Sequence, residues 1–239
     1  MKIINNEAMI LAAGFGTRML PLTKDLPKPL VRINNKPILK HCLEKLFHSG
    51  IEKVVINTHH IHYKISDFTK SLDMQVELIY EKKLLDTGGG VLNAIRKGKI
   101  GKKNLPFFIF NGDSYWIEKE PIIANLSDGW DSSKMDILLV LEKKDKLFGY
   151  DGLGDFDFQS DSYKCGLINN NALNRKFVFT GVQLLNPNIF KGINQKYFSL
   201  RDIYLNSMKN KRLFGLVDNN EWFHVGTMET LKKINFIRK

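Results

Sequence analysis

The sequence predicts an α/β fold with a mixed, mostly parallel sheet between layers of helices. Three observations lead there. Short, continuously apolar runs recur along the first half of the chain. Amphipathic segments separate them, as in βα units. Each apolar run ends in glycine or polar residues, which suits buried parallel strands whose carboxyl ends share one edge.

The elements follow in order. AMILAA (8–13) reads as a short buried strand, with Gly14 just beyond it. LKHCLEKLFHSG (39–50) puts Leu39, Cys42, Leu43, Leu46 and Phe47 at helical spacing and stops at Gly50. KVVIN (53–57) is a strand, followed by a helix from Ile61 to Lys70. QVELIYE (75–81) alternates as a strand does, and a helix opens after TGGG over Thr87 to Lys97. PFFIFNGD (106–113) and MDILLVLEK (135–143) are apolar strands. The segment 148–166 is rich in Gly, Asp and Ser and reads as turns with short strands. KFVFTGVQLLNP (176–187) is a strand, and 199–212 a helix with Ser199 as N-cap. Residues 221–237 read as a strand that turns at Gly226 into a terminal helix.

The 239 residues suit one large α/β domain. No apolar run reaches the roughly 18 residues of a membrane span, and no signal peptide is legible, so a cytoplasmic protein is expected. Two cysteines make no disulfide framework, and Cys42 on an apolar stripe reads as a buried thiol. The net charge of +11 suits polyanions. There is no long basic run with interleaved aromatics, so phosphorylated small molecules are expected and nucleic acid is not.

The richest stretch is LAAGFGTRMLPLTKDLPKPL (11–30). A dinucleotide fingerprint would need a third glycine where Met19 stands, and a Walker A loop would need GK[ST]. The remaining reading is a loop that wraps a nucleoside triphosphate. Gly14 and Gly16 let backbone approach phosphate oxygens, Arg18 offers a fork of donors, and Lys28 offers a point charge between two prolines.

This stretch resembles the signature of the sugar-1-phosphate nucleotidyltransferases, LAxGxGTRxxPLTxxxPKPL. The resemblance continues through DTGGG (86–90), NGD (111–113), FTG (179–181) and WFHVGT (222–227), in order along the chain. It implies a Rossmann-like, three-layer α/β/α fold of the GT-A-like kind. Residues 1–115 would bind the nucleotide and 116–239 the sugar phosphate. Among subfamilies the pattern is similar to N-acetylmuramate-1-phosphate uridylyltransferases and short mannose-1-phosphate guanylyltransferase-like proteins. UTP and N-acetylmuramate-1-phosphate are the expected substrates, with a mannose- or heptose-1-phosphate guanylyltransferase as the alternative.

The resemblance also implies roles. Arg18, Lys28 and Asp113 would be catalytic. Leu11, Ala12, Ala13, Gly14, Gly16, Thr17, Asn57, Glu81, Thr87, Gly88 and Gly89 would line the nucleotide with Arg18 and Lys28. Asn111, Asp155, Asn169, Thr180 and Gly181 would hold the sugar phosphate. Asp113 would hold Mg²⁺, with Mn²⁺ as the alternative. His224 departs from the family, which has Asp there as a second metal ligand. Two readings stay open at this position: a ligand, or an imidazole that fills space. The same departure keeps a second class in play, a nucleotide-binding protein that has lost catalysis. His59, His60 and His62 lack the partners of a zinc site. A monomer or a homodimer is expected.

Overall fold

A computed structural model describes residues 4–160, 164–170 and 175–237. Residues 161–163 of the Gly/Asp/Ser-rich segment, and the last two residues of the terminal NFIRK, lie outside the described residues.

In chain order the elements are β1 (Glu7–Leu11), β2 (Arg32–Ile33), β3 (Lys36–Pro37), α1 (Ile38–His48), β4 (Lys53–Thr58), α2 (His62–Lys70) and β5 (Val76–Tyr80). Then come α3 (Asp86–Arg96), β6 (Phe107–Asn111), β7 (Ser114–Ile117), α4 (Ile122–Gly129), β8 (Ile137–Lys143), β9 (Asp157–Phe158) and β10 (Cys165–Asn169). The chain closes with β11 (Phe177–Leu185), α5 (Leu200–Lys209), β12 (Leu213–Val217), β13 (Glu221–His224) and α6 (Met228–Ile237).

The central sheet has nine strands in the order β5-β4-β1-β6-β11-β8-β12-β10-β9. β5, β4, β1 and β6 are parallel, and so are β8 and β12. β11 runs against both of its neighbours, and β10 runs against β12 and β9. The sheet is therefore mixed and mostly parallel, as the sequence predicts.

Strand residues alternate between two cores because successive side chains leave opposite faces. Ala8 and Ile10 of β1, with Phe108 and Phe110 of β6, face α1, α2 and α4 through Leu43, Ile65 and Ile122. Met9, Phe107 and Ile109 face α3 and α5 through Val91, Leu92 and Ile203. Both faces are buried, which explains why these strands are apolar throughout. A third, smaller core joins Met19, Ile33, Ile38, Tyr115, Phe223 and Ile234. It ties α6 and the β7–β13 pair to the loop after β1. Cys42 is buried in the first of these cores, as expected, and burial pushes its thiol pKa up to about 12.

Candidate active site

A cavity of about 360 Å³ opens at the carboxyl ends of β1, β4 and β6. Its walls bring together the predicted Leu11, Ala12, Ala13, Gly14, Gly16, Thr17, Arg18, Lys28, Asn57, Thr87, Asn111 and Asp113. This edge collects ligands in α/β sheets because strand ends and helix starts converge there.

The glycine loop has a local cause. Gly16 has φ +66°, and a Cβ there would sit 3.0 Å from Thr23 Cγ2 and 3.2 Å from Lys28 Cβ. Thr23 Oγ1 donates to Gly16 O at 2.8 Å, pinning the turn. Arg18 follows in a 3₁₀ turn over Thr17–Met19, with Met19 buried and Arg18 exposed at the cavity rim. Lys28 opens a third 3₁₀ turn of this loop, Lys28–Leu30, and is only 8% exposed. A lysine this buried needs a counter-charge. Asp113 supplies it, with Lys28 Nζ 2.5 Å from Asp113 Oδ2. Burial opposes ionisation of Asp113, but Lys28 outweighs it and holds the carboxyl pKa below its ordinary value.

The second half of the chain buttresses the Asp113 turn. β13 pairs with β7 so that His224 faces Ser114, the neighbour of Asp113. Burial first, then Arg18 and Lys28, lowers the His224 pKa and keeps its imidazole neutral. β11 carries a bulge between Phe179 and Gln183. Within it Thr180 donates to Val140 O at 3.0 Å, and its own carbonyl accepts from Ser114 Oγ at 2.9 Å. A Cβ on Gly181 would meet Ser114 Oγ at 2.4 Å and Asn111 Nδ2 at 2.8 Å, so the strand packs flush against the turn. Bulges of this kind re-aim a strand beside a site.

Glu81 lies beneath the cavity rather than in its wall. It is 2% exposed, and Oε1 accepts from Asn57 Nδ2 at 2.8 Å. Oε2 accepts from Leu85 N at 3.1 Å, and Asn57 Oδ1 accepts from Ala12 N at 2.9 Å. One network thus ties the ends of β1, β4 and β5 to the start of α3. Burial raises the Glu81 pKa, and the Asn57 bond opposes that rise.

The glycines of TGGG also have a packing cause. A Cβ on Gly88 would lie 2.4 Å from the Phe198 ring, and one on Gly89 would lie 2.1 Å from Lys196 O. Gly89 N also donates to Phe198 O at 3.0 Å. These two residues make room for the segment before α5. Gly90 makes room for the Asn57–Glu81 pair.

Asp155 and Asn169 stand apart from this cavity. Asp155 Oδ2 accepts from Phe179 N at 2.9 Å and lines a second cavity. Asn169 pairs with Asp157 between β10 and β9. The cavity also includes Leu84, Asp86, Pro29 and Gly112, to which the sequence assigns no role. Asp86 adopts φ +61°, and its Oδ1 accepts from Thr87 N at 2.6 Å. An aspartate ahead of a glycine-rich helix start was the available signal. The three histidines are separately engaged: His59 donates to Glu81 O, His60 to Thr23 O, and the His62 ring packs on Tyr80.

A divalent cation fits this donor set in one way. Among the described residues no three His, Cys, Asp or Glu side chains gather. Asp113, with a side chain 36% exposed, and the neutral His224 are what the chain offers. Ions that bind through one or two side chains and complete their shell with phosphate oxygens and water suit that pair.

Comparison with known proteins decides the family. The model of the nucleotidyl transferase family matches residues 7–155. The N-acetylmuramate alpha-1-phosphate uridylyltransferase of Caulobacter vibrioides is 31% identical over 92% of this chain and 91% of its own length. The chain belongs to the nucleotidyl transferase family. It is an enzyme of the sugar-1-phosphate nucleotidyltransferase class, in agreement with the sequence pattern. A probable mannose-1-phosphate guanylyltransferase of Oryza sativa subsp. japonica is 28% identical over 92% of this chain, which spans 61% of that longer protein. Among solved structures, UDP-glucose pyrophosphorylase complexed with UDP-glucose has TM-score 0.77 at 18% identity, covering 97% of both chains. HddC from Yersinia pseudotuberculosis complexed with GMP-PN has TM-score 0.75 at 22% identity, covering 98% of this chain and 99% of its own. Both share the nucleotidyltransferase fold.

Proposed function

We propose that this enzyme transfers the uridylyl group of UTP to N-acetylmuramate-1-phosphate and releases pyrophosphate. The observation that carries the transfer reaction is the meeting of Arg18, Lys28 and Asp113 in one cavity behind the glycine loop. The choice of base and sugar is supported by the uridylyltransferase relative, which matches almost end to end.

In this reading a phosphate oxygen of the sugar phosphate attacks the α-phosphorus. A new O–P bond forms and the bond to the β-phosphate oxygen breaks. No covalent enzyme intermediate is needed, so the protein contributes positioning and charge neutralisation. Backbone N–H groups from Gly14 to Thr17 and the Arg18 fork hold the departing β- and γ-phosphates. Lys28 leaves Asp113 and neutralises charge on the α-phosphate and the sugar phosphate. Leu11, Ala12, Ala13, Asn57 and Thr87 line base and ribose, with Glu81, Gly88 and Gly89 fixing them from behind. Asn111, Thr180 and Gly181 shape the sugar side, with Asp155 and Asn169 further out. Asp113, with His224 beside it, would hold Mg²⁺ or Mn²⁺, which supplies positive charge to the phosphates when bound. In this reading residues 1–115 chiefly serve the nucleotide and 116–239 chiefly the sugar phosphate. One chain contains all of these groups, so a monomer or a homodimer would work. The cytoplasm, where nucleoside triphosphates are kept, is the compartment this chemistry implies.

The test is a pyrophosphate-release screen that crosses UTP, GTP, CTP, ATP and dTTP with sugar-1-phosphates, in Mg²⁺ and in Mn²⁺. UTP with N-acetylmuramate-1-phosphate is the expected pair. Turnover with GTP and mannose-1-phosphate alone would replace it by a guanylyltransferase, the second reading, which the 28% identical relatives favour. Nucleotide binding without turnover anywhere in the grid would favour a non-catalytic protein, the reading that His224 motivates.

A further inference from the structure

We propose that a second cavity, lined by Arg175 and Arg201, binds a carboxylate carried by the sugar substrate. The proposal rests on the sugar-phosphate reading above and assigns a chemical class to the sugar.

The cavity holds about 240 Å³, and its walls include Asp155, Arg175, Phe179, Arg201, Tyr204 and Met208. Two segments of the chain link it to the first cavity. On one side α5 begins at Leu200, whose N–H donates to Thr87 Oγ1 at 2.9 Å, and Thr87 lines the first cavity. On the other, Phe179 precedes Thr180, whose carbonyl accepts from Ser114 beside Asp113. In this proposal a sugar whose phosphate sits at Lys28 extends from the Asn111–Asp113 turn along these two segments.

The charges select the ligand. Arg175 Nε is buried and has no hydrogen-bond partner among the described residues. Neither guanidinium enters an ion pair there. A buried N–H left without an acceptor is costly, so an acceptor brought by a ligand fits. Asp155 is the cavity's own carboxylate, and its Oδ2 already accepts from Phe179 N at 2.9 Å. Two guanidiniums therefore face one engaged carboxylate. Guanidinium forks match carboxylates in plane, with two parallel hydrogen bonds. Phe179, Tyr204 and Met208 offer apolar surface for methyl groups and ring carbons. The Tyr204 hydroxyl is turned away, donating to Gln183 Oε1 at 3.0 Å. The ligand that answers all of this is a hexose-1-phosphate with a carboxylate on a short methyl-bearing arm. N-acetylmuramate-1-phosphate has one. N-acetylglucosamine-1-phosphate is the same ring without it.

The experiment compares these two sugar phosphates with UTP, for the wild type, Arg201→Ala, Arg201→Lys and Arg175→Ala. The readout is the ratio of kcat/KM for the acidic sugar to kcat/KM for the neutral one. A charge-assisted hydrogen bond lost in Arg201→Ala should lower that ratio about tenfold or more, mainly through KM. Arg201→Lys should retain part of it. Arg201 is exposed in the first turn of α5, so its loss should leave the fold intact. An unchanged ratio in both alanine variants would overturn the proposal. A wild type that prefers the neutral sugar would overturn it too, while leaving uridylyl transfer standing. A wild type silent with UTP but active with GTP and mannose-1-phosphate would remove the function itself, and the wild-type assay alone shows which has failed.

Discussion

A methyl group at Gly90 would sit 2.7 Å from Asn57 Nδ2 and 2.9 Å from Glu81 Oε1. Gly90→Ala therefore sets two effects against each other. Within a helix, alanine is favoured over glycine by about 1 kcal/mol. Against that, Asn57 and Glu81 are 3% and 2% exposed and already bonded on several sides, so neither can swing away freely. Keeping both in place overpacks the site at about 1–3 kcal/mol. Separating them breaks a hydrogen bond to a buried charge-bearing group, about 1.5–3 kcal/mol. The chain takes the cheaper route, so the net loss is at most about 2 kcal/mol once the helix gain is subtracted. Urea unfolding would show a lower midpoint with an unchanged slope. The strain also reaches the cavity wall, because Asn57 fixes the Ala12 N–H. Nucleotide affinity should fall with stability. A variant that is about 1 kcal/mol more stable than wild type, with unchanged nucleotide affinity, would show that helix propensity wins and that the network does not hold the wall.

Other outcomes follow from the same geometry. Lys28→Ala should lower kcat by about 10²–10³ through lost charge stabilisation, read in steady-state pyrophosphate release. Asp113→Ala should abolish turnover while far-UV circular dichroism stays native; turnover near the wild-type rate would remove the metal assignment. Gly14→Ala should leave the unfolding midpoint in place, since a Cβ there meets nothing within 4 Å, and should weaken nucleotide binding in calorimetry. Glu81 has a raised folded-state pKa, so its contribution to stability is greatest below 4.5 and is lost as pH rises through the folded value. That slope in the stability–pH curve should vanish in Glu81→Gln.

The first half of the fold was legible because its period is local. β1, β4, β5 and β6 are apolar runs, and α1 and α3 are amphipathic over three turns, so each announces itself without its partners. The β2–β3 hairpin, β7, α4 and β12 went unread. LFGLV of β12 is only five residues long, and the β7–β13 pair joins segments about a hundred residues apart. Their stability comes from tertiary pairing, which no window of sequence contains. Much of the site was legible because a glycine loop with Arg18 and Lys28 is a contiguous string. The network under it was not. Glu81 reads as the polar end of a strand, and only the fold shows it buried against Asn57. The Arg175–Arg201 cavity was equally hidden, since it needs β11 and α5 side by side.

Lys28 and Asp113 show how one pair of charges serves the protein before and during the proposed reaction. A lysine 8% exposed at the base of the cavity would be expensive if it stood alone. The free enzyme meets this cost by pairing it with Asp113, and the pairing lowers the Asp113 pKa, so the carboxylate stays ionised. Both groups are then in the charge state that the proposed transfer would use, with no proton to move before substrate arrives. In the proposed reaction an incoming triphosphate would replace the carboxylate as the partner of Lys28 and leave Asp113 free to meet a cation. The exchange substitutes one anion for another around a lysine that the adjoining prolines hold in place. Preorganisation of this kind is what charge stabilisation in a transition state demands. It also explains why the neutral His224 can stand beside Asp113. With Lys28 already there, a second positive charge is disfavoured, and burial together with Arg18 and Lys28 keeps the imidazole unprotonated.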